Sequence, residues 1–491
     1  MNPKENQRIS ARKTLGNFIW RFLERCGTQG VSLLVSIILA RLLDPETHGV
    51  IALVTVFTSI MQVFVNSGMG SALIQKKNAD SVDFSTVFYF NLTMGIGLYL
   101  IMFFAAPLIA WFYAMPDLTV VIRVLSLILV VSGARNIQNS YVSKNMIFKK
   151  FFFSTIGGSL FSAVVGIVMA YKGFGVWALV AQTLSNQVMA TIILWITVPW
   201  RPTWEFSFDR LKGLFSYGWK LLASSLLETI YNDLRSLIIG KKYSSSDLAF
   251  YNKGKQFPHV LIININSSID SVLLPAMARE QDNRLRVQKM TRRAIKTSSF
   301  IIMPLMMGMA ICAEPLVLLI LTEKWRECVP FLRVFCFTYA FYPIHTANLN
   351  AIKAMGRSDL VLKLEIIKKT IGIVAILISM HFGVLWMAYS LVITSLVNQV
   401  VNAYPNRKLL DYSYGKQILD ILPALLLASV MGAAVYCVSF LHLPDLLTMC
   451  IQVPLGVVIY VGGAWLLKLE AFAYIAKMLR DILKRQARKQ E

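Results

Sequence analysis

Charge is scarce in this chain of 491 residues: Asp, Glu, Lys and Arg make up 15% of it, against about a quarter in a soluble globular protein. Acids are scarcer still, 26 Asp and Glu against 49 Lys and Arg, for a formal net charge of +23. Six cysteines in so long a sequence exclude a secreted disulfide framework. A Walker loop, a nucleophile elbow, a glycine-rich dinucleotide turn and a paired-histidine metal motif are all missing, as is any hydrophilic stretch long enough for a catalytic domain. The chain therefore reads as no enzyme, with no catalytic residues, no metal, no cofactor and no nucleic-acid partner. What it has in excess is apolar residues, 56% of the total, with a mean hydropathy of +0.59. Spread along the whole length, that excess defines an all-α polytopic membrane protein.

Crossing ~30 Å of hydrocarbon takes about 20 helical residues. Fourteen stretches of that kind lie near 15–40, 49–74, 84–110, 118–138, 151–170, 174–198, 214–240, 247–275, 297–320, 330–350, 362–380, 384–403, 418–440 and 446–467. The first is too long for a cleaved signal peptide and carries Arg21, Glu24 and Arg25 inside it. Basic loops stay cytoplasmic, and the basic residues alternate cleanly. The two tails and the even-numbered connections hold 35 of the 49, and the odd-numbered connections hold 6. Both termini are expected in the cytoplasm. Cys26, Cys312, Cys336, Cys437 and Cys450 fall inside spans and read as small buried hydrophobes.

The two halves repeat at an offset of 200 to 210. Ile38-Leu39-Ala40-Arg41 through Gly49 matches Ile238-Ile239-Gly240-Lys241 through Ala249; Asn139, Lys144 and Met146 match Asn348, Lys353 and Met355. Phe174-Gly175-Val176 matches Phe382-Gly383-Val384, and Asn-Gln-Val recurs at 186–188 and 398–400. The implied plan is a six-helix lobe over 1–200, a second over 201–410, two extra spans over 411–468, and a basic amphipathic tail over 469–491.

With Lys220, Lys363, Lys368 and Lys369, near cytoplasmic span ends, counted among the connections, eight basic residues remain inside spans: Arg21, Arg25, Arg123, Arg135, Arg235, Lys253, Lys255 and Arg333. A cation at bilayer depth costs roughly 2.5–3.5 kcal/mol and is expected to face a cavity or a partner. Arg21, Glu24, Arg25 and Thr28 share one helical face, as do Glu228, Tyr231, Asn232 and Arg235, with Asp233 beside them. Lys255, His259, Asn266 and Asp270 form a third such face. The first two faces occupy equivalent places in the repeat and are expected to look at each other across a central cleft. With few acids to balance them, the cations leave that cleft positive, suited to an anionic substrate whose desolvated phosphate needs charge-assisted bonds. Arg21, Arg25, Arg235, Lys255, Arg123 and Arg333 are the substrate-binding candidates. For Arg123, Arg135, Lys253 and Arg333, snorkelling or pairing within the bundle is the better account of the charge. Glu24, Glu228, Asp233 and Asp270 are candidates for ion coupling, though each has a basic neighbour to pair with. His259 and His345 read as hydrogen-bonded core histidines. In the tail, Phe472, Ile475, Leu479 and Ile482 line one side of a membrane-surface helix.

Ile38-Leu39-Ala40-Arg41-Leu42-Leu43-Asp44-Pro45-Glu46 with Gly49, then Asn66-Ser67-Gly68 and Ser71-Ala72-Leu73-Ile74-Gln75, resembles the N-terminal pattern of bacterial polysaccharide flippases. Gly175-Val176-Trp177-Ala178-Leu179, Leu274-Pro275-Ala276 and Gly356-Arg357-Ser358-Asp359 fit later landmarks of the same family, close to the teichuronic-acid, colanic-acid and O-antigen exporters of the multidrug/oligosaccharidyl-lipid/polysaccharide superfamily. The resemblance implies two six-helix lobes in a V around a cationic cleft, alternating access, and an undecaprenyl-diphosphate-linked oligosaccharide as cargo in the bacterial inner membrane. It also implies membrane lipids, together with a polysaccharide polymerase and other assembly proteins, as partners. Cleft arginines on the first helix and its second-lobe counterpart correspond to Arg21 or Arg25 and Arg235. A cation-coupled multidrug antiporter of the same superfamily needs an acidic, aromatic pocket, which the cationic excess disfavours. A membrane-embedded polymerase or glycosyltransferase needs a long outer loop, and the outer loops here span only about 5–12 residues.

Overall fold

The computed structural model describes Trp20, Glu24 and residues 27–487. Among these residues there is no β-strand, and nearly all are helical. The bilayer explains this. With no water to take up backbone N–H and C=O groups, a spanning segment must satisfy them internally, which an α-helix does along its whole length.

The first compact unit covers Met1–Ala249 and the second Phe250–Glu491. In the first, α1 (Gly27–Leu42) is followed by α2 (Pro45–Asn66), α3 (Met69–Gln75), α4 (Ser81–Tyr113), α5 (Leu118–Leu125), α6 (Ile128–Lys144), α7 (Lys149–Tyr171), α8 (Val176–Thr197) and α9 (Phe208–Lys242). Helix α10 (Ser245–Arg279) leads into the second unit. There follow α11 (Arg284–Ile311), α12 (Ala313–Leu321), α13 (Val329–Ala340), α14 (Tyr342–Ala354), α15 (Ser358–Ser379), α16 (Val384–Leu409), α17 (Tyr414–Val438), α18 (Asp445–Leu466) and α19 (Glu470–Ala487).

Ten helical segments among the described residues are long and apolar enough to cross a membrane. The other four expected spans fall on α1, α9, the α13–α14 pair and α15, which are helical but shorter, broken or more charged. Their sequences show why: α9 carries Glu228, Asp233 and Arg235, and α15 carries Lys363, Glu365, Lys368 and Lys369.

In the first unit, Val35, Leu39 and Leu43 pack on Ala170, Ala178 and Leu179, joining α1 to α7 and α8. A second cluster gathers Met69 and Leu73 of α3, Phe84 and Val87 of α4, Ile137 of α6 and Trp200. Small residues set the closest approaches, as helix contacts in lipid require. A Cβ on Gly95 would lie 2.7 Å from the Leu129 carbonyl oxygen, and one on Gly133 would lie 2.7 Å from that of Asn91. In the second unit, α17 and α18 pack into the core formed by α11 and α14 rather than standing apart, and Phe472 and Ile475 bring the start of α19 against the same core.

The repeat is visible in the connections. Helix α1 ends at Leu42 and α2 begins at Pro45; α9 ends at Lys242 and α10 begins at Ser245, an offset of 200 at both points. Further on, α6 ends at Lys144 with a left-handed Met146 two residues later, and α14 ends at Ala354 with a left-handed Gly356. That offset is 210, so Asn139 aligns with Leu349, one residue away from the Asn348 that sequence matching pairs it with. Helices α8 and α16 begin at Val176 and Val384, an offset of 208, which puts the two Asn-Gln-Val triplets one helical turn out of register.

Gly49 tests the first of these turns. A Cβ there would lie 1.8 Å from the Ser245 carbonyl oxygen. Gly49→Ala is expected to lower stability by about 1–3 kcal/mol or more, read as a lower melting temperature of the detergent-solubilised protein; an unchanged value would contradict the contact.

Candidate functional site

Arg21 and Arg25 lie outside the described residues. Glu24 is half-buried and feels the charge of Arg135, whose guanidinium donates to Gln187 Oε1. Helix α9 positions the remaining first-unit candidates. Arg235 is 7% exposed, Asp233 accepts a hydrogen bond from Ser59 Oγ of α2 at 3.0 Å, and Glu228, two turns earlier, is exposed. Burial therefore deepens along the polar face from Glu228 to Arg235. Arg123 is engaged by α4: its Nε donates to the Phe103 carbonyl at 3.1 Å, and its guanidinium lies 4.2 Å from the Phe103 ring centre.

In the second unit, Lys253 is 6% exposed, donates to Gln256 Oε1 at 3.2 Å and sits 5.5 Å from the Trp325 ring centre. Lys255 is half-buried on the same helix. Asp270 accepts a 2.6 Å hydrogen bond from Asn350 Nδ2 of α14. Arg333 donates to the Ala310 carbonyl at 3.3 Å and lies 4.0 Å from Glu314. His259 lies beside Tyr339, the rings tilted by 46° with centres 6.0 Å apart, and His345 Nδ1 pairs with Asn402 Nδ2. Asn348, fully buried, donates to Gln417 Oε1 at 2.7 Å and accepts from Gln417 Nε2 and Asn406 Nδ2 at 3.0 and 2.7 Å. Among the described residues no cluster of three or more His, Cys, Asp or Glu is placed to hold a metal.

A charged cluster ties three helix ends together in the first unit. Asp83, wholly buried, accepts two bonds from Lys76 Nζ at 2.8 and 2.7 Å and lies 3.3 Å from Arg210 of α9. Asp80 caps α4, accepting from Asp83 N at 2.9 Å while Asp83 Oδ2 accepts from Asp80 N at 3.2 Å, and it also takes a bond from Arg210. Lys144 donates to the carbonyls of Leu73 and Lys76 at the end of α3. Three residues that read as topology determinants thus also fix α3, α4 and α9.

Between these helices lies a cavity of about 420 Å³. One wall is the α2–α3 break, where Ser67 and Gly68 are left-handed, with φ of 46° and 69°. Asn136, Asn139, Ser140 and Ser143 of α6 form the other wall, with Asn91 and Ser225 beside them. No charged side chain lines it. Sequence reasoning passed over these residues because it searched spans for charge. Their spacing of i, i+3, i+4, i+7 on one helical face was a readable signal.

A multi-pass helical protein with buried cations, a polar cavity and a duplicated connection pattern belongs to the class of membrane transporters built from repeated helical units. Residues 38–330 match the family described as "Polysaccharide biosynthesis protein", and the chain belongs to that family. It is 24% identical over 350 residues to the succinoglycan biosynthesis transport protein ExoT of Rhizobium meliloti (strain 1021), covering 71% of each chain. It is 23% identical over 390 residues to the teichuronic acid biosynthesis protein TuaB of Bacillus subtilis (strain 168), covering 78% of this chain and 80% of the relative. The lipopolysaccharide biosynthesis protein WzxC of Escherichia coli (strain K12) is also 23% identical, over 436 residues, or 86% and 88%. Among solved structures, the lipid II flippase MurJ in an inward closed conformation superposes with a TM-score of 0.72 at 15% identity, over 96% of this chain and 100% of that one. An inward-facing multidrug-resistance MATE transporter of the MOP superfamily does so with a TM-score of 0.63 at 16% identity, over 78% and 94%. These likenesses establish the fold as that of polytopic transporters rather than of an enzyme.

The capping cluster carries a pH signature. The Arg210 bond holds the Asp80 carboxyl down at about 2, below its ordinary 3.8. A depressed carboxylate stabilises the fold above its unfolded value and loses that contribution as pH falls through the folded one. With Asp80 about half exposed, the effect is small. The advantage in melting temperature of the wild type over Asp80→Asn is expected to shrink as pH drops from about 5 toward 2; a difference constant across that range would rule out the Arg210 contact as its source.

Proposed function

We propose that this chain is a flippase that carries an undecaprenyl-diphosphate-linked oligosaccharide repeat unit from the inner to the outer leaflet of the bacterial inner membrane, for assembly of a surface polysaccharide. Family membership supports the pathway, and the transport role printed for ExoT supports the step. The observation that carries the chemistry is Arg235, a guanidinium buried within a helix of span length. A pyrophosphate leaving water needs charge-assisted, bidentate donors, and arginine keeps its charge at any accessible pH. Arg21 and Arg25 extend that cationic set within the first unit, Lys255 is the candidate of the second, and Glu24, Glu228, Asp233 and Asp270 are the groups available to couple an ion.

In this reading the molecule works by alternating access, with six helices, six more and two added spans, and both termini in the cytoplasm. The polyprenyl tail stays in lipid while the sugars cross in a polar lumen. Membrane lipids are partners by necessity, and a polysaccharide polymerase receives the product. A multidrug antiporter of the MATE kind shares the fold, but the excess of basic over acidic residues inside the spans favours an anionic cargo over an organic cation.

Arg235→Ala and Arg25→Ala are expected to lower surface polysaccharide by about tenfold or more and to leave the lipid-linked intermediate in the inner leaflet, with Arg235→Lys retaining part of the transport. Normal polysaccharide and normal intermediate, at normal membrane abundance of the variants, would sink the assignment.

A further inference from the structure

The uncharged cavity of the first unit is not explained by a site for pyrophosphate. Its polar lining is amide and hydroxyl, from Asn66, Asn91, Asn136, Asn139, Ser140 and Ser143, and Val63, Ile74, Leu221 and Leu222 supply apolar patches between them. Asn136 Nδ2 is buried with no hydrogen-bond partner among the described residues. Buried beside the cavity, this orphaned amide donor carries a desolvation cost that a side-chain rotation toward a ligand acceptor would offset.

Two further features mark the place as built. The helix that lines it is broken: α2 stops at Asn66 and α3 starts at Met69, whereas the repeat counterpart α10 runs unbroken through the equivalent positions. Irregular backbone within a membrane-crossing segment is tolerated where it lines a cavity, and discontinuous helices are a mark of transporter binding sites. The break is held by close backbone packing, since a Cβ on Gly68 would lie 2.4 Å from the Gly218 carbonyl oxygen. The repeat also shows what fills this place elsewhere. Gly70 and Ser140 face each other so closely that a Cβ on Gly70 would lie 2.6 Å from Ser140 Oγ. At offsets of 200 and 210 the corresponding residues are Asp270 and Asn350, joined by their 2.6 Å hydrogen bond. The second unit closes this position with a bonded side-chain pair. In the first unit the position is a bare glycine–serine contact, with no long side chain to occupy the cavity that both residues line.

We propose that this cavity binds one or two neutral sugar residues of the transported glycan, a specificity site separate from the cationic one; the proposal rests on the flippase reading. Sugar hydroxyls donate and accept at once, as do asparagine amides and serine hydroxyls, and the apolar patches suit the C–H faces of a pyranose ring. An anion finds no cation here, and a lipid tail finds too many amides. The volume falls within the roughly 300–1,000 Å³ of small-molecule sites.

The test uses the full chain in detergent and two probes read by saturation-transfer NMR. One is a panel of neutral disaccharides built from hexoses, 6-deoxyhexoses and N-acetylhexosamines; the other is farnesyl diphosphate. At least one disaccharide is expected to bind the wild type at millimolar concentration, with affinity falling roughly tenfold in Asn136→Leu/Asn139→Leu while farnesyl diphosphate binding is unchanged. Ser71→Phe, which fills the cavity from its exposed rim and keeps the buried amides, is expected to have the same effect if the double variant does not fold. Arg235→Ala should lose farnesyl diphosphate and keep the sugar. A wild type that binds no member of the panel, or sugar binding indifferent to all these cavity substitutions, overturns the proposal and leaves the flippase reading standing. Sugar binding at the cavity without any diphosphate binding would instead count against the pyrophosphate site and leave the cavity in place.

Discussion

Desolvation is the constraint on which the rest of this structure depends. Inside hydrocarbon a backbone amide, an asparagine or a guanidinium has no water to fall back on, so each must be answered by the protein or by what the protein binds. The backbone answer is helix throughout. Side-chain answers vary along the chain, and they divide the polar residues into those with a structural partner and those left for a ligand. Asn348, Gln417 and Asn406 answer one another through three side-chain hydrogen bonds, and among the described residues only the Asn406 Oδ1 of that trio's bonded groups is left unmet. Asp233 is answered by Ser59, and Asp270 by Asn350. Each such bond is worth only about 0.6 kcal/mol in a membrane, yet leaving its groups unmet would cost more, so these pairs specify which helices lie together.

The two units give different answers at equivalent places. Duplication supplied the same turns, visible where α1 passes to α2 and α9 to α10. The side chains on the packed helices differ, and a glycine–serine contact in the first unit corresponds to an aspartate–asparagine pair in the second. The added helices α17 and α18 take part in this: Gln417 of α17 is the residue that completes the amide cluster around Asn348, so the extra spans are integral to the second unit's core.

Much of the fold was legible in advance. Ten of the fourteen expected spans coincide with helices apolar enough to cross a membrane, because hydropathy over about 20 residues is a direct consequence of bilayer thickness. The other four are helical but depart from that pattern, α1 by its shorter described length, the α13–α14 pair by its break, and α9 and α15 by charges that ordinary spans exclude. The polar helical face that carries the buried Arg235 and the Ser59-bonded Asp233 was readable from helical phase. The neutral wall of α6 was passed over, since Asn136, Asn139, Ser140 and Ser143 raise no alarm in a search keyed to charge. Residue matching also misplaced the repeat by one position at Asn139 and by a helical turn at the second Asn-Gln-Val, because similar short strings recur on helices whose connections fix a different register.

The sequence by itself determined the solvent, the helices and the duplicated connections, because each follows from local hydropathy, length and turn chemistry that no distant contact can change. Tertiary structure decided which polar groups are met and which are left facing a cavity. That distinction depends on residues far apart in the chain, Gly70 against Ser140 and Gly68 against Gly218, whose close approach is set only once three helices have been brought together.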